Sequence, residues 1–338
     1  MRAFVTGGTG FLGANLIEQL VDAGWEVTAM HRPGSDIRRL QAVGAKPVQA
    51  SLASPDSLRA ALPDQLDAVF HLAGNTSMWR GGNAQQWQDN VVGAGNLARV
   101  ARQHFARQNR AGRMIVTSSI SAYGYHNGVI SEASCKLATT PRDHYHYSKM
   151  HGELSVQEEI ARGLDAVFLN PCAIVGKYDV SSWAQTFFLL AENRLPGVPP
   201  GAGSFCHAGA VARAHIDAFS RGRTGENYIL AGTDASFLEF FRIIAELVGV
   251  PAPRRTTPAF AIHTVAAFSD LLSRFSGREP AVTPQKARLL TSRALADSTR
   301  AERELGYRNP LALADMLAES RDWLVAQGLL QLPCAPLR

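Results

Sequence analysis

The chain has 338 residues, 46% of them hydrophobic and 19% charged, enough apolar material for one large core with a smaller second lobe. Its net charge of +5 comes from Lys and Arg residues that never form a run of four, which disfavours a nucleic-acid partner, and no segment reaches the roughly 20 apolar residues that a bilayer crossing needs. The four cysteines, Cys135, Cys172, Cys206 and Cys334, lie far apart without a C-x-x-C pair, so neither a zinc site nor a disulfide framework is indicated and a reduced, cytoplasmic protein is expected.

Residues 2–6 form an apolar, strand-like run directly after Met1, with no basic leader before it. Thr6-Gly7-Gly8-Thr9-Gly10-Phe11-Leu12-Gly13 follows at once and opens a helical pattern over 11–23 that stops at Gly24. Glycines at this spacing keep Cβ atoms out of a tight turn and let backbone N–H groups reach a pyrophosphate at the positive end of the helix. A second strand is expected over 26–30. Where a carboxylate would bond the ribose 2′-hydroxyl of NAD, the chain reads Met30-His31-Arg32-Pro33. Arg32 offers charge-assisted bonds to a 2′-phosphate, with Arg38 or Arg39 as helpers, so NADP is favoured and NAD remains possible.

Strand-like runs continue at 46–49, 68–72, 113–117 and 166–169, separated by helical patterns at 57–61, 90–108 and 145–162. Strands joined by helical crossovers read as a doubly wound parallel α/β sheet. The rhythm breaks after Gly176 into Pro/Gly-rich loops such as 195–203 and then helical segments. The expected division is a dinucleotide-binding domain over 1–175 and a smaller, mainly helical substrate lobe over 176–338, with some chain crossing back to the sheet. Residues 259–275 are the greasiest stretch and are expected to be a packing or lid helix.

Tyr145 and Lys149 stand four apart, on one face of the last helix of the first domain. A nearby ammonium stabilises a phenolate, which suits the phenol to exchange a proton with a carbonyl or alcohol while hydride moves to or from a nicotinamide. Thr117-Ser118-Ser119 ends the fifth strand at the carboxyl edge, where such sheets bind ligands.

These residues carry a resemblance. With His71-Leu72-Ala73-Gly74, Asn90 to Gly93, Tyr123-Gly124, Asn170-Pro171, Val175-Gly176 and the 297–307 segment ending in Gly306-Tyr307, the chain resembles an extended short-chain dehydrogenase/reductase of the NAD-dependent epimerase/dehydratase superfamily. Met78-Trp79 and the 169–176 run are most similar to the dihydroflavonol-4-reductase and 3β-hydroxysteroid-dehydrogenase branch. The resemblance implies that Ser119 is catalytic, Tyr145 is the acid/base and Lys149 holds the nicotinamide ribose. It also implies that Leu72, Ala73, Gly74 and the backbone of Pro171, Ile174 and Val175 line the cofactor, and that a homodimer forms through helices 90–108 and 145–162. The family's Gly-Asp-Leu after the third strand is Ala50-Ser51-Leu52 here, leaving Ser51 and Leu52 at the adenine position.

The expected activity is reduction of a carbonyl, or oxidation of the alcohol, on a fairly apolar small molecule. Thr76, Met78, Trp79, Phe187 and Phe205 are candidates to line its pocket. The alternatives are a nucleotide-sugar epimerase or dehydratase, and a cofactor-binding regulatory protein without chemistry. No metal site is expected, since His126, His144, His146 and His207 have no ligand spacing.

Overall fold

The structure is a computed structural model that describes residues 1–108 and 110–332, so Cys334 lies outside the described residues. Strands β1 (Arg2–Thr6), β2 (Glu26–His31), β3 (Lys46–Gln49), β4 (Ala68–His71), β5 (Arg113–Thr117) and β6 (Ala166–Pro171) are followed by β7 (Ala173–Val175), β8 (Ala202–His207), β9 (Asn227–Leu230), β10 (Thr233–Ser236) and β11 (Arg293–Ala294). The main sheet is parallel throughout, with order β3-β2-β1-β4-β5-β6-β9. The direction of winding reverses between β1 and β4, so the loops leaving those two strands border the crevice where such sheets take ligands.

Period-2 alternation explains how one sheet carries two apolar layers. Ala3 and Val5 of β1 pack with Leu16, Ile17 and Leu20 of helix Phe11–Asp22 and with Val211 of helix Ala208–Arg221. Phe4, one residue out of phase, packs on the other face with Leu97 and Ala101 of helix Gly93–Arg107. Because both faces are covered, β4 and β6 are buried at every residue, which is why they read as continuous apolar runs.

The second half divides its loyalties. Helix Ala208–Arg221 and β9 return to the main sheet, β9 pairing with β6 from Phe168↔Asn227 to Pro171↔Leu230. The rest forms a smaller core of helices Gln185–Ala191, Phe237–Val248 and Leu313–Ala326 around a second sheet, in which β8 is antiparallel to β10 and parallel to β7 and β11. Strands β8 to β11 stand where the sequence suggested loops and helices, because segments of two to six residues are too short to show a period. Two expectations need correction here. Phe187 and Phe205 are 1% and 0% exposed, within the core of this lobe rather than on a pocket wall. Phe205 stacks on Phe240 at 4.6 Å and meets Trp183 edge to face at 5.6 Å. The 297–307 segment is fastened by the Tyr307 hydroxyl, which donates to the Ala231 carbonyl at 2.7 Å.

Candidate active site

The glycine loop after β1 is closed by its own backbone, with the Gly10 N–H donating to the Gly7 carbonyl at 3.0 Å. Gly7 has φ +75, and a Cβ there would meet the Ala73 nitrogen at 2.6 Å, so the loops leaving β1 and β4 touch backbone to backbone. A Cβ on Gly13 would lie 2.1 Å from the Gly7 carbonyl oxygen, so the first helical turn is seated directly on the loop. Gly10 is the N-cap, no side chain caps the helix and no acidic residue stands in its first turn. The positive helix end is thus left to an anion, which fits a dinucleotide pyrophosphate. Thr9 is exposed on this loop, and Phe11 and Leu12 are half-buried in the first turn.

Thr6 stitches the two loops together. Its hydroxyl lies 2.8 Å from His71 Nδ1 and accepts the Ala73 N–H at 3.3 Å, which fixes the backbone of Leu72, Ala73 and Gly74. Burial first, and then the charge on Lys149, push the His71 pKa down to about 3, so the imidazole is neutral and acts as a strut. A side chain on Gly74 would stand 3.5 Å from Asn90 Oδ1 and 3.8 Å from Lys149 Nζ, which places this loop beside the catalytic candidates.

Helix His144–Ile160 carries Tyr145 and Lys149, and Gln285 of helix Pro284–Thr291 accepts the Tyr145 backbone N–H at 3.3 Å. Ser119 follows β5 as the N-cap of a 3₁₀ turn, Ile120–Tyr123, its hydroxyl accepting the Ser121 N–H at 3.1 Å. Burial raises the Tyr145 pKa above its ordinary 10, and the neighbouring Ser119 hydroxyl opposes part of that rise. Tyr145 is therefore a neutral phenol at physiological pH, in its proton-donating form. Lys149 donates to the Thr117 carbonyl at 2.9 Å rather than to the phenol. Burial pushes its pKa down to about 8, against an opposing pull from Glu153, so it is still mostly an ammonium at pH 7.

Sequence reasoning missed the polar group behind Lys149. Glu153, 2% exposed and one turn further along the helix, accepts the Asn170 amide at 2.7 Å and pairs with Lys136. Asn170 in turn donates to the Ser119 carbonyl at 3.1 Å and accepts from Asn227 at 2.8 Å. The signal was present as a second four-residue step, Lys149 to Glu153, on the same helical face. Asn90 sits in a π-helical turn, Gln88–Val92, exchanging bonds with the Asn75 backbone at 2.7 and 2.9 Å and donating to Ser148 at 3.0 Å. Those tertiary bonds, together with Gly152 pressed on the Asn90 carbonyl, explain a widening that has no local sequence cue.

The remaining candidates fall around this centre. Arg32 is exposed at the end of β2 and makes no ion pair among the described residues. Arg38 is committed to Asp36 at 2.6 Å, and Arg39 lies over the Tyr178 ring at 4.3 Å. Ser51 is exposed, and the Leu52 carbonyl accepts from Asn96 at 3.0 Å. Pro171 and Val175 are buried at the β6–β7 passage and Ile174 is half-buried. Thr76 is exposed, Met78 is half-buried, and the Trp79 ring lies on the Gly81 backbone. A cavity of about 470 Å³ is bounded by Tyr125, Val129, Arg288, Thr291, Arg293 and Leu295 among others. The Tyr125 ring is 4.6 Å from that of His146, the residue after Tyr145.

Residues 3–231 match the model of the NAD dependent epimerase/dehydratase family. The chain is 31% identical over 335 residues, 98% of its length and 100% of the relative's, to sterol demethylase protein B of Methylococcus capsulatus. It is 29% identical over 314 residues, 91% of the chain and 92% of the relative, to the 4-hydroxy-2-methyl-3-oxo-4-farnesyl-3,4-dihydroquinoline-1-oxide ketoreductase of Stigmatella aurantiaca. The solved structure of gox2253 superimposes with a TM-score of 0.83 at 27% identity, covering 98% of this chain and 99% of that one.

Proposed function

The chain belongs to the NAD-dependent epimerase/dehydratase family, and from that premise we propose that it is an NADP(H)-dependent oxidoreductase interconverting a carbonyl and an alcohol on an apolar small molecule. The observation that carries this reading is the Tyr145 phenol, kept neutral by burial beside the Ser119 side chain at the carboxyl edge of β5, on the same sheet edge as the open helix end of the glycine loop. The bound nicotinamide supplies or accepts the hydride. In the reducing direction the Ser119 hydroxyl orients the substrate oxygen, and Tyr145 gives its phenolic proton to that oxygen as negative charge develops on it. The Lys149 ammonium steadies the phenolate left behind and is held to the Thr117 carbonyl, at the rim where the nicotinamide ribose would lie.

Gly7, Thr9, Gly10, Phe11, Leu12 and Gly13 would hold the pyrophosphate, Arg32 the 2′-phosphate, Ser51 and Leu52 the adenine side. Leu72, Ala73, Gly74 and the Pro171, Ile174 and Val175 backbone would line the nicotinamide half. NADP is favoured over NAD because Arg32 stands uncommitted while the first downstream carboxylate, Asp36, is already paired with Arg38. The names of the two relatives, one a sterol demethylase protein and the other a ketoreductase of a farnesylated quinoline oxide, support an apolar substrate, and the second supports a carbonyl one. The 470 Å³ cavity between the loop that follows Ser119 and residues 288–295 has mixed walls, with Tyr125, Val129 and Leu295 beside Arg288 and Arg293, and it offers a place for the substrate without deciding its polarity. A homodimer through helices Gly93–Arg107 and His144–Ile160 belongs to the same reading.

The test is a panel following NADPH absorbance with alicyclic and aromatic ketones, beside UDP- and dTDP-sugars followed for epimerisation or dehydration. NADPH consumption with at least one apolar carbonyl, and none of the sugars converted, is expected. Sugar conversion without net cofactor consumption overturns the reading, since an epimerase returns its hydride in each turnover.

A further inference from the structure

Helix Ala259–Ser276 is amphipathic in the wrong sense for a surface helix. At 100° per residue, Ala266 and Ser273 mark its inner side, 1% and 5% exposed, with Ile262 and Ser269 beside them. The opposite side is apolar apart from Thr264, whose hydroxyl is turned back onto the Phe260 carbonyl at 2.9 Å. Phe260, Phe268 and Phe275 are 74%, 62% and 85% exposed, and Val265, Leu271 and Leu272 are 57%, 48% and 52% exposed. No charge interrupts this face, because Asp270 and Arg274 lie toward the inner flank, where Asp270 is paired with both Arg80 and Arg274. A contiguous apolar face of this extent on a surface helix marks an interaction site.

Charge identifies what covers it. Residues 251–290 hold six cations and two carboxylates, so most of the chain's net +5 sits here. Both carboxylates are paired, Asp270 as above and Glu279 with Lys286 at 3.2 Å. Arg254 and Arg255 precede the helix and Arg278 follows it, all three exposed and without an ion pair among the described residues. An apolar face with free arginines beyond each end suits a flat anionic surface that meets both ends at once. A second copy docked helix to helix would instead oppose arginine to arginine at both ends, whether parallel or antiparallel.

We infer that helix Ala259–Ser276 is a peripheral docking element that rests on the surface of an anionic lipid bilayer, its phenylalanines in the acyl boundary and its flanking arginines at the headgroups. This stands on the helix alone and does not depend on the reaction proposed above. The helix is nonetheless tied to the site, through Arg80–Asp270 to the Trp79 loop and through His263 to Thr291 at 3.1 Å, on the helix whose Gln285 reaches Tyr145.

The full chain is sedimented with phosphatidylcholine vesicles with and without roughly a third phosphatidylserine, at physiological salt. At least about tenfold tighter binding to the anionic vesicles is expected. A Phe268→Asp/Phe275→Asp variant loses at least about tenfold of that binding, and an Arg254→Ala/Arg255→Ala/Arg278→Ala variant loses the preference for anionic vesicles. All five positions are exposed, so dinucleotide titration of the variants should match the parent. Absence of sedimentation with the anionic vesicles overturns the inference, as does equal binding by the phenylalanine variant. A drop in sedimentation coefficient of that variant without vesicles also overturns it, by assigning the face to a second copy.

Discussion

Gly13→Ala is the smallest change that should separate cofactor binding from the rest of the molecule. The added methyl would sit 2.1 Å from the Gly7 carbonyl oxygen and 2.8 Å from both the Gly7 carbonyl carbon and Gly8 Cα, against the ~3.5 Å at which such contacts become favourable. All three atoms are backbone, so no rotamer change relieves the clash. Gly7 cannot simply retreat, because its other side already lies against the Leu72–Ala73 backbone and its carbonyl is engaged by the Gly10 N–H. The loop and the helix end must part by about 1 Å, at the ~1–3 kcal/mol typical of overpacking. Because the displaced atoms are those that would cradle the pyrophosphate, dinucleotide affinity should fall by roughly 10- to 100-fold, at ~1.4 kcal/mol per decade. The assay is titration of NADPH fluorescence beside a thermal melt. Gly24→Ala is the control: its φ of +76 makes alanine strained by about 1 kcal/mol, yet no atom lies within 4 Å and it is remote from the loop. It should lower the melting temperature and leave affinity unchanged. A Gly13→Ala variant that binds NADPH as the parent does would refute the account of the cradle.

Arg32→Ala should weaken NADP(H) by about 1.5–3 kcal/mol, the worth of a hydrogen bond to a charged group, and leave NAD(H) nearly unchanged; equal losses in parallel titrations would show that Arg32 does not read the 2′-phosphate. Turnover should fall on the alkaline side as the Lys149 ammonium is lost, with pH rising through about 8. Glu153 opposes the depression of that pKa, so Glu153→Gln should move the alkaline limb to lower pH, and a limb that stays in place in a folded variant contradicts the coupling. Phe205→Ala should destabilise the fold by about 3–5 kcal/mol, as expected for a fully buried ring, and the melt decides whether it is core.

Much of the first half was legible because its signals are local. Six strands are bounded within two residues of expectation, since strands covered on both faces read as apolar runs and glycines mark their ends. The glycine loop, Ser119 and the Tyr145–Lys149 pair also fall along one sheet edge, because the order of crossovers dictates it. What stayed hidden depends on partners distant in sequence. The π turn at Asn90 is imposed by Asn75, Ser148 and Gly152, Thr6 meets His71 across 65 positions, and Glu153 gains its role from Lys136 and Asn170. Phe187 and Phe205 misled because an aromatic in a loop-rich stretch looks the same in sequence whether it lines a pocket or fills a core. The exposed outer face of helix Ala259–Ser276 was equally unreadable, since apolar residues all round a helix suggest burial until the packing is seen.

The central claim is that Tyr145 is the proton donor in carbonyl reduction, and single-turnover NADPH oxidation by Tyr145→Phe, with the apolar ketone the parent enzyme reduces, tests it most directly. The substitution keeps the ring that fills this buried position and removes only the hydroxyl, so NADPH should bind as before while the rate of oxidation falls by about 10²–10⁴-fold. An unchanged rate with bound NADPH would contradict the account.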